Sequence, residues 1–313
     1  MDIDVLFRII KFWIYLILLI PSIICSLIVL CYLLFDRNLH RALHNHIIII
    51  LLLICLICQV TIYPWMLYFY NNHIYWPRSY IFCSIWGFID WGLYITQIIL
   101  FAWASIERHI LIFHDRWLST RRKRIFIHYL PPILLLLYCF ICYGIVYFFP
   151  FCANFINYYA AACIVCCTYN NNVFSLWETI VNQILPHLII IIFSIALILR
   201  ALWQNHRAHQ QIQWRKHRRM TIQLLSISFL YLIFSFPNTF MIFLYLCGLP
   251  SNTSGDVKKY VEFFSDFIIL LFPFVCILPL SKLRNKIRKI LLCRKRRQTR
   301  FIRPETLTLR QTK

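Results

Sequence analysis

Long apolar segments recur along the chain, and the short segments between them carry most of its arginine and lysine. The stretch from Ile125 to Trp177 shows the pattern most clearly, because it contains no Asp, Glu, Lys or Arg. About 20 apolar residues in a helix cross the hydrocarbon core of a bilayer, and a helix satisfies its own backbone polar groups. Seven segments meet this length, and we predict membrane-spanning helices over residues 12–35, 43–70, 80–106, 125–149, 174–203, 220–247 and 260–281.

The pattern predicts one membrane domain, residues 1–281, followed by a basic segment, residues 282–313. The first apolar run, Phe12 to Phe35, is longer than the core of a signal peptide and has no small-residue cleavage site, so we expect it to remain as the first span. In the basic segment, four apolar residues share one helical face, which predicts a short amphipathic helix on the membrane surface. They are Leu283, Ile287, Ile290 and Leu291. Cys293 beside them is a candidate for palmitoylation.

Composition supports a membrane protein and predicts its orientation. Hydrophobic residues make up 61% of the chain and charged residues only 14%, against about 25% in soluble domains. Of the 32 lysines and arginines, 27 fall on the side of the membrane that holds the C-terminus. Positive residues of short loops stay in the cytoplasm, so we predict an extracellular N-terminus and a cytoplasmic C-terminus. The net charge of +21 flanks apolar spans, which favours membrane lipids over nucleic acid as its partner.

A cysteine and an arginine motif mark the two ends of the third predicted span. Cys83 lies at its start and Glu107-Arg108-His109 at its end, and the 25 residues from Cys83 to Arg108 correspond to about 37 Å of helix. Three prolines, one in each of the fifth, sixth and seventh predicted spans, add to this pattern. They are Pro186, Pro237 and Pro273. In these residues the chain resembles the rhodopsin-like G-protein-coupled receptors, whose third helix begins with a disulfide cysteine and ends with an acid-Arg-Tyr motif at this spacing.

The resemblance implies an all-α fold, a seven-transmembrane helix bundle with a short cytoplasmic amphipathic helix after the seventh span. It also implies a plasma-membrane receptor that binds an extracellular ligand and signals to a cytoplasmic heterotrimeric G protein. The motif at the end of the third span would be the switch that couples to the G protein, and the three prolines would be helix hinges. The residues given these roles are Glu107, Arg108 and His109, and Pro186, Pro237 and Pro273. The chain is a divergent member by this comparison, since the family's sodium-binding Asp falls on Cys55 and its sixth-helix Trp on Ser235.

Four cysteines after the fourth span are candidate disulfide partners for Cys83. They are Cys152, Cys163, Cys166 and Cys167. The resemblance implies that one of them bonds Cys83, and Cys167 is favoured because the family's partner usually lies closest to the fifth helix. Cys152 and Cys163 could form a second bridge. The loop has no histidine and no second ligand pair for zinc, so we predict no metal site and no cofactor.

Acidic residues are the feature of the outer half of the predicted bundle that says most about function. By the family register, four of the 11 acids face its central cavity, namely Asp90, Glu178, Glu262 and Asp266. No Lys or Arg falls within the outer half of any predicted span to neutralise them. Buried carboxylates without partners are costly, so these groups must contact water, share protons or bind a cation.

We therefore predict a cationic ligand, a small amine or a basic peptide. Asp90 falls where receptors for biogenic amines carry their ammonium-binding Asp, and it would act with Asp266 or Glu262. Aromatic residues would wall the site through cation–π contacts. They are Trp91, Tyr94, Phe236 and Phe240. Two alternatives stay open: the acids at the membrane surface are merely solvated, or paired carboxylates sense protons.

Other function classes fit the sequence less well. It contains no zinc-protease motif, no Gly-rich phosphate loop and no nucleophile with an adjacent base, so no enzyme activity is predicted. A transporter would typically show internal repeats and Gly-rich broken helices, whereas this chain has five glycines. A seven-span chemoreceptor channel with an internal N-terminus conflicts with the charge distribution. Asn252, in the triplet Asn-Thr-Ser, is a candidate glycosylation site in the last outer loop.

Overall fold

The structure, a computed structural model, describes residues 3–37, 45–72, 79–113, 120–157, 163–206, 211–248, 251–278 and 280. Within these residues, seven helices are long and apolar enough to cross a membrane, and they pack as a bundle. The predicted all-α seven-helix fold is therefore confirmed. The amphipathic helix predicted within residues 282–313, with Cys293, lies outside the described residues.

Five of the seven described helices are interrupted by a π-helical segment or a one-residue break, and we number each spanning helix as one element. The first four are α1 (Ile3–Phe35), α2 (His46–Asn72), α3 (Tyr80–Gly87, π-helical Phe88–Gly92 and Leu93–Phe113) and α4 (Arg121–Arg124, π-helical Ile125–Tyr129 and Leu130–Phe148). The last three are α5 (Asn172–Trp177, π-helical Glu178–Ile184 and Leu185–His206), α6 (Gln211–Phe234 and Phe236–Leu246) and α7 (Ser251–Ser265 and Phe267–Ile277). Because α7 begins at Ser251, Asn252 lies in helical backbone and not in the predicted loop.

Helix α3 is the most deeply buried of the seven. It packs against α2, α4 and α5, while α1 packs against α2 and α7, and α6 packs against α5 and α7. In the apolar part of each helix, 72% of the residues of α3 are buried but only 17% of those of α4. Apolar side chains of α4 such as Ile133, Leu137 and Phe140 are exposed, as expected for a surface that faces lipid tails.

A polar network joins α1, α2 and α7 around Pro273. This proline has no N–H, so the carbonyl of Ile269, four residues earlier, has no partner within its helix. Gln59 Nε2 donates to that carbonyl at 2.9 Å and to Ser22 Oγ at 2.8 Å. Ser22 Oγ in turn donates to the carbonyl of Leu270 at 2.7 Å. Side chains of two neighbouring helices thus satisfy the backbone that the proline leaves open.

The other two predicted hinge prolines lie beside interruptions. Helix α6 breaks at Ser235, two residues before Pro237, and Pro186 follows the π-helical segment of α5. Pro273 instead lies within an unbroken segment, and α7 breaks earlier, at Asp266. Local helix geometry changes next to Pro186 and Pro237, and their hinge roles stay predictions.

A β-hairpin follows α4, and its register brings two cysteines together. Strand β1 (Phe155–Ile156) pairs antiparallel with β2 (Ile164–Val165), with Phe155 opposite Val165. Continued outward, the same register places Cys152 near Cys167, and these two are bonded, with a Cα–Cα distance of 5.9 Å. The second disulfide therefore closes the base of the hairpin.

The predicted bond between Cys83 and Cys167 is wrong, as is a bridge between Cys152 and Cys163. Cys83 bonds Cys163, which directly precedes β2, and β2 packs against the first segment of α3, where Cys83 lies. The strand register of the hairpin determines which cysteines form disulfides. Closeness to the fifth helix along the chain, which favoured Cys167, does not determine it. Cys166 is buried and free, and burial raises the pKa of its thiol to about 12, which keeps it in the unreactive thiol form.

Candidate functional site

Two cavities lie at the end of the bundle that carries Cys83 and the β-hairpin, which we call the hairpin end. The opposite end carries Arg108 and is called the Arg108 end. The larger cavity, about 340 Å³, lies between α3, α5, α6, α7 and β2, and the smaller, about 230 Å³, reaches towards α1 and α2. Both are lined by four of the same residues, Asp90, Trp91, Asn238 and Glu262. The larger volume falls in the range of small-molecule sites.

Asp90 lies in the π-helical segment of α3, where the two cavities meet. Such segments are rare and often occur at functional sites. Close packing holds this one in place: a Cβ on Gly87 would lie 2.3 Å from Tyr147 Cε1 and 2.8 Å from Ile164 Cγ2. Only glycine allows α3 to approach α4 and β2 this closely. The fold thus holds the half-buried Asp90 on a fixed wall beside open space.

Glu178 lines the larger cavity from the π-helical segment of α5. Its side chain is buried, with 2% of the residue exposed. Tyr143 Oη donates to Oε1 at 3.0 Å, and Gln183 Nε2 donates to Oε2 at 2.8 Å. Both donors are neutral, so the hydrogen bonds position the carboxyl group without cancelling its charge.

Asp266 and Glu262 lie on α7 and differ in their surroundings. Asp266, at the break in the helix, accepts a hydrogen bond from Tyr15 Oη at 2.5 Å, and its carbonyl accepts one from Tyr63 Oη at 2.7 Å. Glu262 is exposed and forms an ion pair with Lys258 at 3.7 Å. An exposed pair of this kind is weak, which leaves Glu262 open to other partners.

The expectation that no Lys or Arg lies among these acids is wrong. Helix α1 begins at Ile3, well before the apolar run that starts at Phe12, so Lys11 lies inside the helix and lines the smaller cavity. Its ammonium interacts electrostatically with Asp266 and Glu262. Lys258 lines the larger cavity. Among the described lining residues, each cavity therefore has one lysine as well as its carboxylates.

Two of the four predicted aromatic residues, Trp91 and Tyr94, line a cavity, and two do not. Trp91 lines both cavities and Tyr94 the smaller one. On α6 the lining residues are Asn238 and Ile242, one helical turn apart, so Phe240 between them points away and is 48% exposed. Phe236, stacked against Phe240 with ring centroids 6.1 Å apart, lines neither cavity. The predicted contacts of Phe236 and Phe240 with a ligand are therefore not supported.

A hydrogen-bonded chain crosses from Tyr94 to α5 through the break in α6. His187 Nδ1 donates to the carbonyl of Gln183 at 2.7 Å, so in the neutral ring Nε2 accepts from Ser235 Oγ, 3.0 Å away. Ser235 Oγ then accepts from Tyr94 Oη at 2.8 Å. Ser235 and His187 are fully buried. The chain links a cavity residue of α3 to α5 and to the break in α6.

The predicted switch lies at the Arg108 end, and Glu107 there has a partner that the sequence did not indicate. Its carboxylate accepts a hydrogen bond from His128 Nδ1 of α4. His128 Nε2 shares a hydrogen bond of 2.9 Å with His46 Nδ1 of α2. Glu107 and His128 are each about 1% exposed, and Arg108 is also buried. His109 packs edge-on against Phe193 of α5.

Three functional candidates were missed by sequence reasoning, namely Lys11, His46 and His128. Lys11 was placed outside the first span, because the span was started at the first continuous apolar run. His128 is one of the few polar residues of the uncharged stretch 125–177, and His46 directly precedes an isoleucine run. Those positions are a weak signal, since only the packing of α2, α3 and α4 shows that His128 contacts Glu107 and that His46 contacts His128.

Comparison with known proteins is consistent with this geometry. A family model described as "7 transmembrane receptor (rhodopsin family)" matches residues 26–279, which is most of the chain. A comparison with curated protein sequences gives no match.

Proposed function

Because the chain belongs to the rhodopsin family of seven-transmembrane receptors, we propose that it is a G-protein-coupled receptor for a cationic ligand. The ligand, a small amine or the basic end of a peptide, binds at the hairpin end. A heterotrimeric G protein binds at the Arg108 end. The observation that carries the proposal is the position of Asp90, a half-buried carboxylate on the wall shared by two cavities.

The proposed orientation places the hairpin end outside the cell and the Arg108 end in the cytoplasm of a plasma-membrane protein. Two disulfides lie at the hairpin end, and disulfides persist in oxidising compartments. Most of the lysine and arginine lies towards the other end, as the positive-inside rule requires of cytoplasmic loops. The two arguments are independent and agree.

A cation is the ligand chemistry that fits the larger cavity. Asp90, Glu178 and Glu262 line it, and Lys258 is its only lysine among the described lining residues. Glu178 accepts hydrogen bonds from the neutral donors Tyr143 and Gln183, and Asp90 and Trp91 both line this cavity. A ligand ammonium would form a charge-assisted hydrogen bond with Asp90 and a cation–π contact with the indole of Trp91.

We propose that the signal passes from the cavities through α3 and α6 towards the Arg108 end. The chain from Tyr94 through Ser235 to His187 reaches the break in α6, so a ligand that shifts α3 changes a contact of the hinge. At the Arg108 end, Glu107, Arg108 and His109 stand where the family couples to its G protein. Movement of α6 relative to α3 is the conformational change that the proposal requires.

The test is a signalling screen in cells that express the receptor, with G-protein heterotrimer dissociation as the readout. Primary amines, basic peptides and steps of extracellular pH are applied. We expect a cationic agonist from this panel to activate the wild type and to fail on Asp90→Asn at equal surface expression. Asp36→Asn is the matched control, because Asp36 follows α1 at the Arg108 end, remote from both cavities. Equal responses of the Asp90 variant and the control would refute the proposal.

Proton sensing is a second candidate, and Glu178 is the observation that favours it. This carboxyl group is buried and has only neutral hydrogen-bond partners, so a proton could occupy it without loss of those contacts. Acidification without any ligand should then evoke a signal that Glu178→Gln changes and Asp90→Asn does not. A signal that needs an amine and ignores pH steps would exclude this candidate.

A further inference from the structure

Lys11 occupies a cage of aromatic rings at the edge of the smaller cavity. Its Nζ lies 4.4 Å from the ring centroid of Phe7, 5.4 Å from that of Phe263 and 6.0 Å from that of Tyr70. Rings at these distances attract an ammonium ion through their negative faces. The three rings come from α1, α7 and α2, so the tertiary fold assembles the cage.

The cage is part of a stripe along α1 that faces α7. Phe7, Lys11 and Tyr15 follow one another at intervals of four residues and therefore share a helical face. Phe7 packs edge-on against Phe263 with centroids 5.7 Å apart, and Tyr15 donates its hydrogen bond to Asp266. The lysine is thus held from both sides by partners of α7.

Carboxylates supply the charge that a cation site needs. Asp266 and Glu262 attract the Lys11 ammonium electrostatically, and all three residues line the smaller cavity. Lys259 acts in the opposite direction, and its effect is smaller than that of either carboxylate. Rings, carboxylates and a cavity of about 230 Å³ together form the surroundings that proteins use to bind an alkylammonium ion.

We propose that the aromatic cage at the edge of the smaller cavity is an alkylammonium-binding site that the chain occupies with its own Lys11. The inference rests on the proposed function, because it confines a cationic ligand to the larger cavity. Lys11 repels a second positive charge from Asp266, so Asp90 and Glu178 remain for the ligand. Removal of the lysine side chain opens a second cation site beside the first.

The test is chemical rescue of Lys11→Ala by n-butylammonium, which has the four carbons and the ammonium group of a whole lysine side chain and is one carbon longer than the part that alanine lacks. Purified receptor in detergent is heated with increasing n-butylammonium chloride, and the thermal midpoint is recorded. We expect Lys11→Ala to have a lower midpoint than the wild type, and n-butylammonium to raise it by several degrees in a saturable way. The uncharged analogue 1-butanol should not raise it. The shift of the wild type should be clearly smaller than that of Lys11→Ala, because in the wild type only the larger cavity is open to an amine.

Two further variants separate the site from a general effect of amines. Lys259→Ala removes an exposed lysine of the same end and should behave like the wild type. Lys11→Met fills the space of the lysine side chain without its charge and should respond to n-butylammonium no more than the wild type does. A shift of equal size in the wild type, or no shift in Lys11→Ala, would overturn the proposal.

The experiment also gives a result if Lys11→Ala does not reach the cell surface. The cells are then grown with n-butylammonium or 1-butanol, and surface receptor is counted by antibody against an N-terminal tag. Recovery with the amine alone supports the site, and no recovery overturns it. Neither readout measures signalling or needs a G protein, and both compare Lys11→Ala with the wild type, so failure of rescue leaves the receptor function standing, and failure of the signalling screen leaves this site standing.

Discussion

The hairpin end and the Arg108 end each contain a carboxylate of α3 within the bundle, but the two differ in what surrounds them. At the Arg108 end, Glu107 is enclosed by protein and hydrogen-bonded to His128, which continues to His46. At the hairpin end, Asp90 is half-buried between two cavities. An enclosed charge with a protein partner holds helices together, whereas a charge beside open space is available to a molecule from outside. Under the proposed function, a carboxylate of α3 thus serves structure at one end and recognition at the other.

The largest effect on stability is expected at the Arg108 end. His128→Ala leaves the Glu107 carboxylate buried without this partner, and removal of one member of a buried pair costs about 3–5 kcal/mol. The thermal midpoint of the purified receptor should fall by on the order of 10 °C. Glu107→Gln is the matched variant, because an amide oxygen still accepts from His128 and leaves no unpaired charge. Equal midpoints for the wild type and His128→Ala would show that this end is not held by the pair.

The network around Pro273 should give the next largest effect. Gln59→Leu removes the donor to the carbonyl of Ile269 and the hydrogen bond to Ser22, and each buried polar atom left unsatisfied costs about 1–3 kcal/mol. The midpoint should fall by several degrees. Thr61→Ala on the same helix is the control, since Thr61 Oγ1 donates only to Ile57 within α2. If both variants have the same thermal midpoint as the wild type, Gln59 does not stabilise α7.

The smallest effect is expected at Phe240. This prediction tests whether the ligand site at the hairpin end extends to the outer surface of α6. Phe240 is exposed on the bundle surface and lines neither cavity, so Phe240→Ala should change the potency of a cationic agonist by less than about threefold. Trp91→Ala, on the shared cavity wall, should lower potency by about tenfold. Dose–response curves at equal surface expression compare the two. A large loss at Phe240 would mean that the ligand reaches between α5 and α6.

Sequence alone predicted the helices well, because span length and apolar content are local properties. The acids of the hairpin end could be placed from the register of Cys83 and Arg108, and Asp90 and Glu262 do line the same cavities. Details that depend on contacts between distant segments of the chain could not be predicted from the sequence. Lys11 precedes the continuous apolar run and still lines a cavity of the bundle, where three aromatic rings lie within 6.0 Å of its Nζ.

The disulfides and the histidines show the same limit. Cys163 and Cys167 are four residues apart, and only the strand register distinguishes their partners. His46 and His128 are 82 residues apart, and their hydrogen bond requires α2 and α4 to meet at Glu107. The spacing of residues within one helix carries no information about which side chains of other helices they will contact.

Equilibrium binding of a labelled cationic agonist to purified receptor tests the central claim most directly. For Asp90→Asn, the account predicts an affinity about 10- to 100-fold weaker, which is the loss expected when a hydrogen bond to a charged group is removed. Its thermal midpoint without ligand should stay close to that of the wild type. Unchanged affinity in Asp90→Asn would contradict the assignment of Asp90 as the group that receives the ligand's charge.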